Sequence, residues 1–146
     1  MAQGQTRVTM PTIDRVLALH LVPLFAGVPG RTLAAVAASA TEVEVAADEV
    51  VIAQGTVEDH LFAVVSGRLV ARDGDRVLRE IPAGGSVGEL AALVPEPRSA
   101  TVSALVPSVL LRIDRLVLEE LLTDHPELAR GVIASLVRMI RDSTPS

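Results

Sequence analysis

The residues best placed to do chemistry in this 146-residue chain lie in one segment, Gly84-Gly85-Ser86-Val87-Gly88-Glu89-Leu90-Ala91-Ala92-Leu93-Val94-Pro95-Glu96-Pro97-Arg98-Ser99-Ala100-Thr101-Val102. Its glycines let backbone N–H groups approach a ligand closely. Glu89 to Leu93 is long enough for one helical turn, whose free N–H groups would face an anion. Arg98 follows the acid and is the only base between Arg79 and Arg112. An isolated arginine beside a glycine-rich turn is an anion fork, and Ser99 can add a hydroxyl donor. Glu89 cannot bind phosphate, so it would accept hydrogen bonds from sugar hydroxyls or orient the arginine. The spacing describes a site for a small, singly charged, hydroxylated anion.

Other chemistries fit less well. Gly84-Gly85-Ser86-Val87-Gly88 spells the G-x-S-x-G nucleophile elbow, with Asp114 and His125 following in hydrolase order. That motif needs a strand before it and a long helix after it, in a parallel sheet. Here the helix has room for about one turn before Pro95, so no catalytic residue is assigned and no enzyme is expected. His20, His60 and His125 are scattered without metal-ligand spacing, and no metal or other cofactor is expected beyond the ligand itself. With no cysteine there is no disulfide, thiolate nucleophile or cysteine-held zinc. The formal charge of -5 weighs against direct nucleic-acid binding, which calls for a basic patch. Phe25 and Phe62 are the only aromatics, too few for a base-stacking platform.

The chain is 49% hydrophobic and 21% charged, which suits one folded domain rather than disorder. No apolar run reaches the roughly 18 to 20 residues that span a bilayer. Met1 to Met10 is polar and lacks the apolar stretch of a signal peptide. The expected location is the cytoplasm, including the cytoplasmic part of a membrane protein.

The elements that must position the segment are legible from periodicity. Residues 1–11 read as disordered or linker, and 12–146 as a single domain. Helices are expected over Ile13 to Leu19, ending before Pro23, and over about Arg31 to Ala40 after the breaker pair Pro29-Gly30. From Thr41 the texture changes: Thr41–Ala46 alternates as a half-buried strand, and short strand-like runs follow at Val50–Ala53, Leu61–Val65, Leu69–Ala71, Val77–Ile81, Ala100–Leu105 and Val109–Ile113. Turn residues separate them, including the hairpin signal Asp73-Gly74, and the recurrence suggests a sandwich or barrel of about eight strands. Asp114 reads as the N-cap of a helix to Leu122. Asp124-His125-Pro126-Glu127 has capping-box spacing before a last helix, about Pro126 to Arg141. That helix carries Leu128, Val132, Leu136, Met139 and Ile140 on one wide apolar stripe.

Gly88-Glu89-Leu90-Ala91-Ala92-Leu93 followed by Pro97-Arg98-Ser99-Ala100-Thr101-Val102 resembles the phosphate-binding cassette of cyclic nucleotide-binding domains. This family includes the catabolite activator protein, the regulatory subunits of protein kinase A, and cyclic-nucleotide-gated channels. The similarity covers roughly Val22 to Arg141, with Gly55, Asp59 and Gly67 at positions the family also marks. It implies a mainly β, α+β fold: an eight-stranded antiparallel, jelly-roll-like β-roll over 41–113, N-terminal helices over 12–40 and two C-terminal helices over 114–142. It further implies binding of cAMP or cGMP in the 84–102 cassette without turnover. Arg98 would pair with the cyclic phosphate, and Ser99 and the Ala100 amide would complete that contact. Glu89 would accept from the ribose 2′-hydroxyl, with the Gly88 backbone and Leu90 alongside. Asp59 would brace Arg98, and Val87 supports the turn where the family often has Phe. Thr56 replaces a frequent acid outside the pocket. No aromatic in the last helix caps the base, leaving Arg138, Met139 or Ile140 as candidate lid residues.

These readings make the chain a cyclic-nucleotide sensor that signals through its C-terminal helix, with bacterial-looking Ala, Val and Arg usage favouring cAMP. The expected partners are the nucleotide, an attached output domain (transporter, channel or regulator), and a second copy meeting the C-terminal helix. The alternative is a β-roll interaction module that has lost nucleotide binding.

Overall fold

The computed structural model describes residues 10–143. Helix α1 (Thr12–His20) leads through a short 3-10 turn (Pro23–Phe25) into α2 (Gly30–Ser39). Eight strands follow: β1 (Thr41–Val45), β2 (Val50–Ile52), β3 (His60–Ser66), β4 (Arg68–Asp73), β5 (Arg76–Pro82), β6 (Ser86–Val87), β7 (Thr101–Ala104) and β8 (Ser108–Asp114). The chain closes with α3 (Arg115–Asp124) and α4 (Pro126–Ser143). The strands form two antiparallel four-stranded sheets, ordered β1-β8-β3-β6 and β2-β7-β4-β5. This is the β-roll with flanking helices expected from the sequence.

Strand alternation explains how one sheet serves two cores. On β3, Leu61 and Ala63 face the helices while Phe62 and Val64 face the opposite sheet. On β8, Leu111 and Ile113 face the helices and Leu110 faces inward. A strand covered on both faces needs an unbroken apolar run, which is why Leu61–Val65 shows no alternation. The helical core gathers Leu19, Leu24, Phe25, Leu33, Leu118 and Leu128 against that sheet, each fully buried. The roll's interior holds Ile52, Leu69, Ala71, Ile81, Val87 and Val102.

Several details differ from the sequence expectations. Met10 is already packed on the helical core, and its amide donates to Glu42 at 2.6 Å, so the domain begins before residue 12; residues 1–9 of the expected linker lie outside those described. The turn Pro23–Phe25 and the strand β6 lack a periodic signal because two or three residues cannot display one. Asp114 precedes α3 but makes no side-chain capping bond; its carboxylate accepts from Arg112 Nε at 3.1 Å. Asp124 ends α3 rather than capping α4, and the His125 carbonyl takes the amides of Leu128 and Ala129 instead. The end of α2 has no glycine cap; Arg15 reaches across from α1 to donate to the carbonyls of Ala37 and Ala40 at 3.0 and 2.8 Å.

Helix α4 is seated on the 3-10 turn region by close approach of backbones. The Gly27 amide donates to the buried Ser135 hydroxyl at 3.0 Å. A Cβ on Gly131 would lie 2.7 Å from Val28 Cγ2 and 2.9 Å from the Gly27 carbonyl oxygen. Gly131→Ala gains at most about 1 kcal/mol of helix propensity, against about 1 to 3 kcal/mol for overpacking. Because the obstructing atoms include backbone, the net effect expected is destabilisation, read as a lowered urea midpoint. An unchanged or raised midpoint would mean that α4 is loosely seated.

Candidate functional site

The cassette begins at the end of β5 and runs to the start of β7. Gly88 adopts φ +80°, a left-handed conformation that turns the chain out of β6. One helical turn follows, closed by Ala92 N to Gly88 O at 3.1 Å and Val94 N to Leu90 O at 2.8 Å, as the sequence spacing suggested. The chain then runs back past residues 55–57. Arg98 N donates to the Thr56 carbonyl at 2.8 Å, and Gly55 N donates to the Arg98 carbonyl at 2.9 Å. Both main-chain groups of Arg98 are thereby fixed before its side chain does anything.

The Arg98 side chain is 9% exposed. Its Nη2 donates to the His60 carbonyl at 2.7 Å, while the buried Nε has no hydrogen-bond partner. Burial lowers the Arg98 pKa below the ordinary guanidinium value, and the negative charges of Glu58 and Asp59 act to raise it again. Gly88 lies directly against this group: a Cβ there would be 2.4 Å from the His60 carbonyl oxygen and 2.6 Å from Arg98 Nη1.

Asp59 does not hold Arg98 by a hydrogen bond; its carboxylate lies 3.4 Å from Arg115 Nε and 3.6 Å from His60 Nδ1. The brace expected of Asp59 falls to the main chain of the next residue, and Asp59 acts on Arg98 through its charge. Glu89 is half-buried and already engaged. Its Oε2 accepts from the Leu24 amide at 3.1 Å, and its Oε1 accepts from the Ser86 hydroxyl at 2.6 Å. Val87 is buried in the roll opposite Phe62, Ser99 is exposed, Ala100 is half-buried, and Leu90 projects outward with 57% exposure.

A cavity at the mouth of the roll joins these groups. An inner lobe of about 180 Å³ is lined by Ile52, Ala71, Leu78, Ala100 and Val102. An outer lobe of about 370 Å³ is lined by Ser86, Glu89, Leu90, Glu96 and, from α4, Met139. Arg79, Val87, Gly88, Arg98 and Ser99 border both lobes. Of the candidate lid residues, Met139 reaches the cavity, whereas Arg138 is exposed and lines neither lobe. Sequence reasoning missed two contributors. The His60 carbonyl leaves no trace in side-chain chemistry. Arg79 was visible as a base but had no partner in the chain to give it meaning. A separate depression, about 530 Å³ beside Leu116, Glu119, Glu120 and Asp124 on α3, offers no cation for an anion.

The other chemistries considered do not assemble. The Ser86 hydroxyl is bonded to Glu89, His125 lies beside Glu127 and Asp114 beside His60, so the elbow motif gathers no triad. Among the described residues no group of three or more metal-ligating side chains converges, and no helix is long and apolar enough to cross a membrane.

A profile of the family "cyclic nucleotide-binding domain" matches residues 42–125. A cAMP-dependent protein kinase regulatory subunit of Blastocladiella emersonii is 40% identical over 104 residues, 68% of this chain and 26% of that protein. An uncharacterized NTE family protein of Mycobacterium tuberculosis is 31% identical over 134 residues, 91% of this chain and 23% of that protein. The chain thus spans about a quarter of the length of these curated relatives. The N-terminal domain of a transcriptional regulator from Streptomyces coelicolor superposes with a TM-score of 0.76 at 29% identity, covering 83% of this chain and 88% of that one.

Replacing Gly88 tests the cradle without a ligand. Gly88→Ala adds a methyl against the His60 carbonyl and Arg98 at a left-handed φ, so a loss of about 1 to 3 kcal/mol is expected in denaturant unfolding. Wild-type stability in that variant would show that the guanidinium has room to retreat.

Proposed function

The chain belongs to the cyclic nucleotide-binding domain family, and we propose that it is a sensor that binds a 3′,5′-cyclic purine nucleotide at the Arg98 cradle. The carrying observation is the buried guanidinium of Arg98, anchored at Nη2, unpartnered at Nε, and set against Gly88 at the cavity wall. A group desolvated to this degree is costly unless an anion meets it, and a cyclic phosphate presents one charge and oxygen acceptors. Ser99 and the Ala100 amide add donors beside it. Each Glu89 oxygen accepts one hydrogen bond and keeps a second lone pair, enough to receive the ribose 2′-hydroxyl. The name of the Blastocladiella relative supports cAMP as one ligand.

The domain performs no turnover. Met139 reaches the outer lobe from α4, so nucleotide bound there would favour whichever α4 position completes its cover. Ligand shifts that equilibrium only by its different affinity for the two positions. The exposed Ile133 and Val137 on α4 supply the face on which an attached output domain or a second copy would register the shift. The relatives' greater length supports an output domain, whose own activity is separate from this one.

Calorimetry and thermal unfolding with cAMP and cGMP test this reading. Wild-type protein at a hundredfold excess over Kd should gain about 2.7 kcal/mol of stability. Arg98→Leu should weaken binding by about 2 to 5 kcal/mol. Protein freed of nucleotide that shows neither heat nor thermal shift would instead be the ligand-free interaction module.

A further inference from the structure

We propose that the outward face of α4 is an interface with a second copy of this chain, seated on the acidic depression of that copy's α3 rather than against its α4. Residues three and four apart share a helix face. Arg130, Ile133, Ala134, Val137, Ile140 and Arg141 therefore stand together on α4, and all are exposed. Ile133, Val137 and Ile140 leave 60%, 42% and 65% of their surface to water. Arg130 and Arg141 bracket them, and residues 128–141 contain three arginines and no acid. Helix α3 is the chemical opposite. Leu116, 64% exposed, lines the depression of about 530 Å³ with Glu119, Glu120, Thr123 and Asp124, and no base lies within residues 116–124. Arg115 answers Glu119 at 2.7 Å. Among the described residues no hydrogen bond or ion pair engages the side chains of Glu120, Asp124, Arg130 or Arg141.

One chain thus carries an apolar stripe with free cations and an exposed leucine with free carboxylates, on helices separated only by His125. Both helices turn their other faces to the core, through Leu118, Leu121 and Leu122 on α3 and Leu128, Val132 and Leu136 on α4. Within one molecule the two outward faces do not meet, whereas a two-fold axis near the His125 corner forms the contact twice. Pairing α4 with its own copy is the poorer fit. Ile133, Val137 and Ile140 are spaced as d, a and d of a heptad, which sets Arg130 at an a position of the seam. Parallel copies would oppose Arg130 to Arg130 with no acid on that face. Over residues 130–141 the seam is also shorter than two heptads, below the three or four that mark a coiled coil. Leu116 with the free carboxylates of Glu120 and Asp124 offers the same stripe both an apolar contact and opposite charge.

The test is sedimentation velocity over a concentration series, with and without cAMP, on wild type and three surface variants, with thermal unfolding as the check on folding. One variant reverses the acids (Glu120→Arg with Asp124→Arg), one reverses the bases (Arg130→Glu with Arg141→Glu), and the third carries all four changes. Wild type is expected to form dimers as concentration rises, and fewer of them at high salt. Either half-reversal should weaken dimerisation by roughly tenfold or more. The full reversal restores opposite signs across the contact and should recover it. A dimer indifferent to the acid reversal would mean that α4 meets its own copy, and would overturn the proposal. Loss in both half-reversed variants without recovery in the third overturns it too. So does wild type that stays monomeric at every concentration, which leaves the α4 face to an attached output domain. Calorimetry with cAMP on the same samples reads the Arg98 site separately, so failure of this inference leaves the functional reading standing.

Discussion

Placing the Arg98 guanidinium out of water is the constraint around which the site is arranged. An arginine that is nine-tenths buried loses most of its hydration, and the surrounding chain compensates by geometry rather than by a direct ion pair. The His60 carbonyl takes one Nη2 donor, and the carboxylates of Glu58 and Asp59 add a favourable field without touching the group. Its main chain is clamped on both sides by Gly55 and Thr56. What is left over is a fork with an unpaired Nε at the wall of a cavity. A partner carboxylate in full contact would have neutralised the cation and competed with any anionic ligand. A carbonyl fixes the guanidinium and leaves its charge intact.

His60 connects that anchor to the C-terminal half of the chain. Its ring Nδ1 lies 2.9 Å from the Asp114 carboxylate, at the junction of β8 and α3. The Arg115 amide donates to the Asp59 carbonyl at 3.0 Å. On the other side of the cassette, Glu89 accepts from the Leu24 amide, and three residues later Gly27 donates to Ser135 of α4. The cassette and α4 therefore grip the same short segment from two directions. A connection of this kind is stiff, because close packing transmits a small displacement that soft packing would absorb.

The cavity divides its labour by residue type. Val87, Ile52, Ala71 and Val102 make the inner lobe apolar, and Met139 supplies an adaptable surface from α4 where a flat aromatic is missing. An aliphatic lining offers no hydrogen-bond pattern, so polar recognition in this cavity rests on the charged and polar groups that border it. Arg79, on β5, and Arg98, in the loop before β7, are the two cations on that rim.

The sequence alone determined whatever depends on near neighbours and on period. The alternation from Thr41, the hairpin at Asp73-Gly74 and the uninterrupted run of β3 specify strands, because side-chain period and turn conformation are local properties. The cassette was legible for the same reason: Gly88, Glu89, Arg98 and Ser99 stand close enough along the chain for their spacing to carry meaning. Tertiary structure alone decided the partners. Arg98 meets a carbonyl 38 residues away, Glu89 an amide 65 away, and Gly27 a hydroxyl 108 away. It also moved Asp59 off Arg98, turned Asp114 from a helix cap toward His60, made a strand of Ser86–Val87, and brought Arg79 to the cavity wall. Such outcomes follow from sheet register and the packing of distant elements. A backbone carbonyl, present at every residue, gives the sequence no mark of which one will be needed.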